Sequence, residues 1–401
     1  MIHMQQTLAD NITYLIGSEE HLENMIKAPA DIPFSDEVVM FLNDLAGEIR
    51  RDEDARKYSD IQTFAFWCRK ASVLEMKRRY ADLDQRIGRG ITFHIAPSNI
   101  PMMFMFSVVV SLLAGNSNIV RLSSKYFPQT DIICRILKKL FEERYQNIAD
   151  RIIICQYPHS EEITGYFSKI CNSRIIWGGD NSINEIRKIQ IPSYAIDLPF
   201  FDRFSFAVID ADAYLASNTK SKIAEQFYND TYFTDQNACT SPQLVIWRGK
   251  EHAEEASEAF WKELKIVVDK KYEFQSVQAV DKLSAMCDFA IDHHEGRLIE
   301  DDMSLCRMRI DKLYSQLKDY RCPGGYFYEY ITDNLQDLSV LMTRECQTVD
   351  VYGIERREIL DVMKKNHGQG VDRIVEIGHT MDFGLQWDGF DFIYSLSRVV
   401  S

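Results

Sequence analysis

The sequence predicts an α/β protein: two parallel-sheet units, a helical segment ahead of them and a closing strand at the C-terminus. Three observations lead there. Short apolar runs alternate with helix-length segments from about residue 90 to residue 190, the pattern of a parallel sheet covered on both faces. A second alternation starts at "FSFAVIDADAYL" (204–215) and runs to about residue 370. Residues 36–85 carry charge-rich stretches, "EIRRDEDARK" and "EMKRRYADLDQR", with apolar residues at helical spacing.

The elements follow in order. "GITFHIAP" reads as a strand and leads into an apolar helix from Met102. "NIVRLSS" is the next strand. "DIICRILKKLFEERY" places Ile132, Ile133, Ile136, Leu137, Leu140 and Phe141 on one helical stripe, with Lys and Glu opposite. "RIIICQYP" is a strand, a helix starts at Ser160, "RIIWGGD" is a strand, and a helix starts at Asn181. The final stretch, "RIVEIGHTMDFGLQWDGFDFIYSLSRVVS", is rich in aromatic and β-branched residues and suits a closing strand. The expected divisions are 1–210, the helical segment with a cofactor-binding domain; 211–370, a catalytic domain; and 371–401, a return or oligomerisation segment.

Composition narrows the function. The chain has 401 residues, 46% hydrophobic and 26% charged, with a net charge of −14. That acidity argues against nucleic acid as the main partner, while a local basic pocket for an anionic ligand remains compatible with it. The opening "MIHMQQTLADN" lacks the pattern of a signal peptide. "MMFMFSVVVSLLA" is too short to span a bilayer, so no membrane span is expected. Nine cysteines without a CxxC pair fit a reducing, cytoplasmic location and offer no zinc site. His293, His294 and Glu295 read as a solvated helix end or loop rather than a metal site.

Four segments carry chemistry. In "HIAPSNIP", Asn99 follows a strand at the edge where ligands of open α/β sheets gather; an N-cap asparagine is the plainer alternative. In "GNSNIVRLSS", Arg121, Ser123, Ser124 and Lys125 stand at a strand end with no carboxylate among them. In dinucleotide folds the adenosine ribose is read there, and a guanidinium suits a 2′-phosphate. NADPH is therefore expected over NADH if a cofactor binds, against an ordinary strand-end cation. In "WGGDNSINEI", Gly178 and Gly179 let backbone approach a pyrophosphate or nicotinamide, or form a plain turn. In "NDTYFTDQNACTSPQLVIW", Cys239 sits in a polar, turn-prone stretch, as a candidate nucleophile does. Its rivals are Cys322, in a Pro-Gly turn, and Cys346, whose neighbour Glu345 disfavours a thiolate.

Together these segments resemble the aldehyde dehydrogenase superfamily, and more closely its acyl-CoA reductase branch, typified by the fatty-acid reductase of bacterial luminescence. "APSNIP" matches the strand-end asparagine segment, "AGNSNIVRLSS" the AGN…KPSE segment, "IIWGGD" the FTGS turn, "DQNACTSPQLV" the GQxC loop and "ECQTV" the EIFGPV segment. "GVDRIVEIGHTMDFGLQWDGFD" is similar to the reductase branch in particular. The resemblance implies an aldehyde-dehydrogenase-like fold of two Rossmann-like domains. It implies Cys239 as nucleophile and Asn99 as oxyanion-hole donor beside the Cys239 amide. It implies that Ser98, Arg121, Ser123, Ser124, Gly178, Gly179 and Glu345 bind the cofactor, with Glu345 on the nicotinamide ribose. Ser124 stands where NAD-preferring members carry a glutamate, which agrees with NADPH.

Two departures matter. Members that oxidise aldehydes carry ELGG, whose glutamate activates water; "DLPFFDRFSF" offers only Asp197 and Asp202. A reductase benefits from that loss, because its acyl-enzyme must outlast hydrolysis. The N-terminus is also shorter than in luminescence reductases, so contacts to an acyl-transfer partner are not carried over. The function implied is NADPH-dependent reduction of acyl-CoA or an acyl-carrier-protein thioester to an aldehyde through an acyl-cysteine. The alternatives are NAD(P)-dependent aldehyde oxidation, acyl-phosphate reduction, and a catalytically silent scaffold. The implied partners are the thioester donor, an acyl-activating enzyme and further copies of the chain, which related enzymes recruit through a hairpin and a C-terminal strand such as "FDFIYSLSRVV".

Overall fold

The computed structural model describes residues 11–293 and 296–400. His294, Glu295 and the first ten residues of the leader reading lie outside them. The chain forms two compact units, residues 1–201 with 384–401, and residues 202–383. The division falls earlier than the expected 210, because residues 204–210 form a strand paired inside the second unit.

The first unit holds β1 (Thr13–Ile16), β2 (Arg86–Gly88), β3 (Ile91–Ile95), β4 (Ser117–Arg121), β5 (Ile152–Gln156), β6 (Ser173–Trp177) and β7 (Ile196–Phe200). Six of them make one sheet in the order β1-β5-β4-β3-β6-β7, parallel except for β1. Every residue of β3 is buried, as a strand covered on both faces requires. The helix Met103–Leu113 links β3 to β4 and buries all its residues but Phe106, which explains its unbroken apolar sequence. Helix Pro128–Glu143 buries the expected stripe, Ile132, Ile133, Ile136, Leu137, Leu140 and Phe141.

A polar thread crosses this core. The buried His94 ring is held between Ser107 Oγ (2.7 Å) and Asn118 Oδ1 (2.9 Å), and burial lowers its pKa to about 4. Neutral imidazole thus donates to Asn118 and accepts from Ser107. Ser107 Oγ in turn accepts from Trp177 Nε1 at 3.2 Å, and the Trp177 ring stacks on Phe200 with centroids 4.0 Å apart. The end of β6 is thereby fixed immediately before Gly178.

The second unit holds β8 (Phe204–Asp210), β9 (Pro242–Arg248), β10 (Arg297–Asp302), β11 (Leu305–Arg309), β12 (Tyr326–Thr332), β13 (Cys346–Tyr352) and β14 (Arg373–Glu376). Their order is β10-β11-β12-β9-β8-β13-β14, parallel except for β10. Alternation along a strand feeds two cores: Phe206 and Val208 of β8 join Leu244 and Ile246 in one, and Ala207 and Ile209 join Val245 and Trp247 in the other.

The chain then returns to the first unit through β15 (Gln386–Trp387), β16 (Phe390–Asp391), a helix (Phe392–Leu396) and β17 (Ser397–Val399), which pairs antiparallel with β2. Most of the expected closing strand is therefore not extended. "FIYSL" buries Phe392, Ile393 and Leu396, a spacing that falls on one helical face, and Asp391 caps it by accepting from Tyr394 N. Asn116 of the "AGN" turn secures this return, its amide donating to Leu396 O at 2.9 Å. The glycine before it, Gly115, has φ +93, and a Cβ there would lie 2.1 Å from Asp31 O.

Among the described residues no helix is long and apolar enough to cross a membrane, and no group of three or more His, Cys, Asp or Glu is arranged to hold a metal ion.

Candidate active site

In the first unit, the expected cofactor segments collect at the carboxyl ends of three neighbouring parallel strands. Ser98 and Asn99 follow β3 and are exposed; Ser123 and Ser124 follow Arg121, the last residue of β4; Gly178 and Gly179 follow β6. Ile95 pairs with Arg121 on one side and Ile176 on the other, so the three loops leave one sheet edge side by side. Asn99 is not the N-cap of the next helix: that position is Met102, which makes no side-chain cap bond. The capping alternative is thereby removed.

Arg121 is partly buried, with its guanidinium 5.0 Å over the Tyr157 ring and a buried Nε that lacks a hydrogen-bond partner among the described residues. Ser123 and Lys125 line a cleft with Ala96, Pro97 and Gln156, and Asp131 also faces it. Gln156 Nε2 donates to Ser123 O at 2.8 Å, fixing the loop after β4. At Gly179, a Cβ would meet nothing within 4 Å, and at Gly178 it would only touch Ser182 Cβ at 3.5 Å. Neither glycine is needed for packing; the Gly178 N–H is taken by Phe200 O at 3.2 Å, while the space beside Gly179 is open. A phosphate-bearing dinucleotide fits such an edge: a buried guanidinium donor, hydroxyls, and glycines that no side chain crowds.

Asp197, one of the two carboxylates in the segment that departs from ELGG, lies in β7. Both its oxygens are taken by the buried Arg174, at 2.8 and 2.9 Å. It serves the sheet rather than a water molecule.

In the second unit, the site residues sit at the opposite, amino ends of the strands. Asp202 precedes β8, Cys239 precedes β9, Lys318, Arg321 and Cys322 precede β12, and Glu345 precedes β13; these four strands are adjacent in the sheet. The loop carrying Cys239 is built by two successive residues in the left-handed region, Asp235 (φ 51) and Gln236 (φ 54). Such strain persists only where surroundings over-determine it. Gln236 is 4% exposed. Its amide donates to Pro242 O and Tyr326 O, and its Oε1 accepts from Gly325 N and Tyr326 N. Asp235 accepts from Tyr272 Oη at 2.7 Å. Ser205 Oγ donates to Cys239 O at 2.6 Å and accepts from Thr348 N at 3.1 Å. The cysteine backbone is thus tied to both β8 and β13.

Cys239 is partly exposed, while Cys322 and Cys346 are buried. Burial raises the Cys322 thiol to about 11 and the Cys346 thiol to about 12, so both rivals are poor thiolates at neutral pH. Cys346 was expected to be disfavoured through Glu345; the larger cause is burial. No disulfide is present among the described residues. The Cys239 thiol lies 3.7 Å from Asp202 Oδ1. Arg321 Nη2 donates to Asp202 Oδ2 at 2.6 Å, and Lys318 Nζ donates to Glu345 Oε1 at 3.1 Å and Asp202 O at 3.4 Å. Glu345 O accepts from Phe204 N at 2.7 Å. Cys239 and Glu345 therefore bracket the start of β8. Sequence reading missed Arg321, Lys318, Ser205 and Gln236, whose roles come from partners far along the chain.

Residues 67–293, more than half the chain, match the family model described as acyl-CoA reductase (LuxC). The chain belongs to this family. The LuxC match includes the asparagine loop, the glycine turn and the Cys239 loop. The chain is 23% identical over 301 residues to a long-chain acyl-protein thioester reductase of Photorhabdus luminescens, a match covering 72% of this chain and 58% of the relative. It is 28% identical over 174 residues to the enzyme of that name from Vibrio harveyi, covering 41% and 34%. The alignments thus take in about a third to three fifths of those relatives' length. In fold, the chain is similar to aldehyde dehydrogenase 21 of Physcomitrella patens, with a TM-score of 0.66 at 11% identity, over 96% of this chain and 90% of the other. The aldehyde-dehydrogenase-like fold expected from the sequence is the fold observed.

Proposed function

We propose that the protein reduces an acyl thioester, carried by coenzyme A or an acyl-carrier protein, to an aldehyde, using NADPH and a covalent acyl-cysteine on Cys239. The observation that carries this reading is the state of that thiol: partly exposed, on a loop pinned by Gln236 and Ser205, in a chain of this family. A pinned backbone N–H is also what an oxyanion needs, each such donor contributing about 3 kcal/mol. Asn99 keeps the oxyanion role that the resemblance implies.

Residues 1–201 supply the cofactor-binding half. Arg121 with Ser123 and Ser124 would hold a 2′-phosphate, Ser98 and the Gly178–Gly179 backbone the remainder of the dinucleotide, and Glu345 of the second unit the nicotinamide ribose. When bound, the reduced nicotinamide supplies hydride for the acyl carbon. The protein's own residues do the rest: Cys239 accepts the acyl group, and the segment that departs from ELGG carries no glutamate to activate water. Asp197 is unsuited to that task because Arg174 occupies both its oxygens. This disfavours aldehyde oxidation to the acid.

An acyl-activating enzyme is the matching partner class, and residues 384–401 are a candidate pairing segment between copies of the chain. The test is NADPH consumption across a panel of acyl-CoAs, beside NADH and an acyl phosphate. Aldehyde is expected from a thioester with NADPH, and Cys239→Ala is expected to abolish it. Appreciable turnover in that variant would remove Cys239 from the reaction, and consumption with the acyl phosphate alone would replace the substrate class.

A further inference from the structure

Thioester exchange moves a proton as well as an acyl group. The nucleophilic thiol must lose one and the departing thiol must gain one. The segment that stands in place of ELGG holds no glutamate, and of its two carboxylates Asp197 is committed to Arg174. Asp202 is placed differently. Its Oδ2 is fastened by Arg321 at 2.6 Å, and Arg321 is itself anchored by donating to Arg203 O at 3.0 Å. That clamp leaves Oδ1 toward the Cys239 sulfur, 3.7 Å away and within reach of an S–H donor. Lys318 spans Asp202 O and the Glu345 carboxylate, and Arg203 donates to Asp372 and to Cys346 O.

We propose that Asp202 is the proton carrier of the acyl-transfer half-reaction, held for that task by Arg321. The proposal rests on the reading of Cys239 as the acyl acceptor. In the forward step the Cys239 S–H bond breaks, its proton passes to Asp202 Oδ1, and a bond forms between Sγ and the thioester carbonyl carbon. When the tetrahedral adduct collapses, the bond from carbon to the departing sulfur breaks, and Asp202 returns the proton to that sulfur. Nothing is oxidised or reduced, and the carboxylate ends as it began. A carboxylate clamped on one oxygen and open on the other suits this shuttle, and the guanidinium offsets its charge beside the thiol.

The proposal separates two quantities that a structural role would move together. Asp202→Asn removes the proton carrier but also removes a negative charge beside the thiol, leaving Arg321. Acylation of Cys239, followed by intact mass with a long-chain acyl-CoA and no nicotinamide, is expected to slow about 100-fold. Alkylation of Cys239 by iodoacetamide is expected to reach its half-maximal rate about one pH unit lower than in the wild type. Asp202→Glu is expected to restore most of the acylation rate. Arg321→Gln, which strips the cation and keeps the carboxylate, is expected to move the alkylation midpoint upward. Acylation within about twofold of wild type in Asp202→Asn overturns the proposal. So does a parallel loss of acylation and alkylation, or an unmoved midpoint in both variants. A wild-type chain that never gains acyl mass, or acyl mass retained by Cys239→Ala, overturns the reading of Cys239, and the proton role falls with it.

Discussion

Asp350 and Asp230 form a buried carboxyl pair in the second unit, 0% and 1% exposed. Asp230 accepts from Gly378 N, from Thr380 N at 3.1 Å and from Thr380 Oγ1 at 2.8 Å. The Asp350 oxygens have no hydrogen-bond partner among the described residues, so nothing compensates two negative charges buried side by side, and one of the acids holds a proton. Burial and the neighbouring acid push Asp350 well above the usual carboxylate range, and burial raises Asp230 to about 6. A carboxyl raised in the fold stabilises it at low pH and loses that contribution as pH rises. Unfolded Asp350 ionises near its ordinary value, so holding it protonated costs about 1.4 kcal/mol for each pH unit above that. Asp350→Asn retains a donor toward Asp230 and never ionises. Relative to wild type, the variant is expected to gain about 1.4 kcal/mol per pH unit between pH 5 and 7, or about 3–5 °C in Tm per unit for a unit of this size. Thermal unfolding of both proteins across that range measures the gap. A gap that stays constant with pH, or narrows as pH rises, refutes the shared-proton argument. The pair matters to the site because the segment it latches reaches Met381, whose sulfur accepts from Thr240 Oγ1 at 3.4 Å, one residue beyond Cys239.

Two predictions concern the cofactor edge. Arg121→Leu is expected to raise KM for NADPH about 10- to 100-fold through loss of a charge-assisted bond, and to leave KM for NADH within about twofold; equal effects on both would dissociate Arg121 from the 2′-phosphate. Gly179→Ala adds a Cβ where nothing lies within 4 Å, so Tm should hold within about 1 °C. If that backbone borders the dinucleotide, KM for NADPH rises roughly tenfold, and an unchanged KM places the dinucleotide elsewhere.

What the sequence reveals here is mostly what periodicity and local chemistry encode. The alternation that starts at "GITFHIAP" marks parallel strands because buried β3 and the buried helix after it have no solvent face to keep polar. The stripe in "DIICRILKKLFEERY" marks a helix because its core contact lies on one side. Rule by composition fails at the C-terminus: "FIYSL" has strand-like residues, yet burying Phe392, Ile393 and Leu396 together requires a helical turn. The family, the loop that carries Cys239 and the glycine turn are likewise readable, since each depends on residues adjacent in the chain.

The sequence by itself determined the α/β class, the order of its segments and the identity of the candidate thiol. Tertiary structure alone decided which carboxylate meets that thiol. Asp197 and Asp202 are five positions apart and indistinguishable by type, but one is drawn into β7 against Arg174 and the other turns at the start of β8 toward Cys239. A side chain's electrostatic partner is set by sheet register and strand order, which bring together residues far apart in sequence, such as Asp202 and Arg321. No local spacing encodes that meeting.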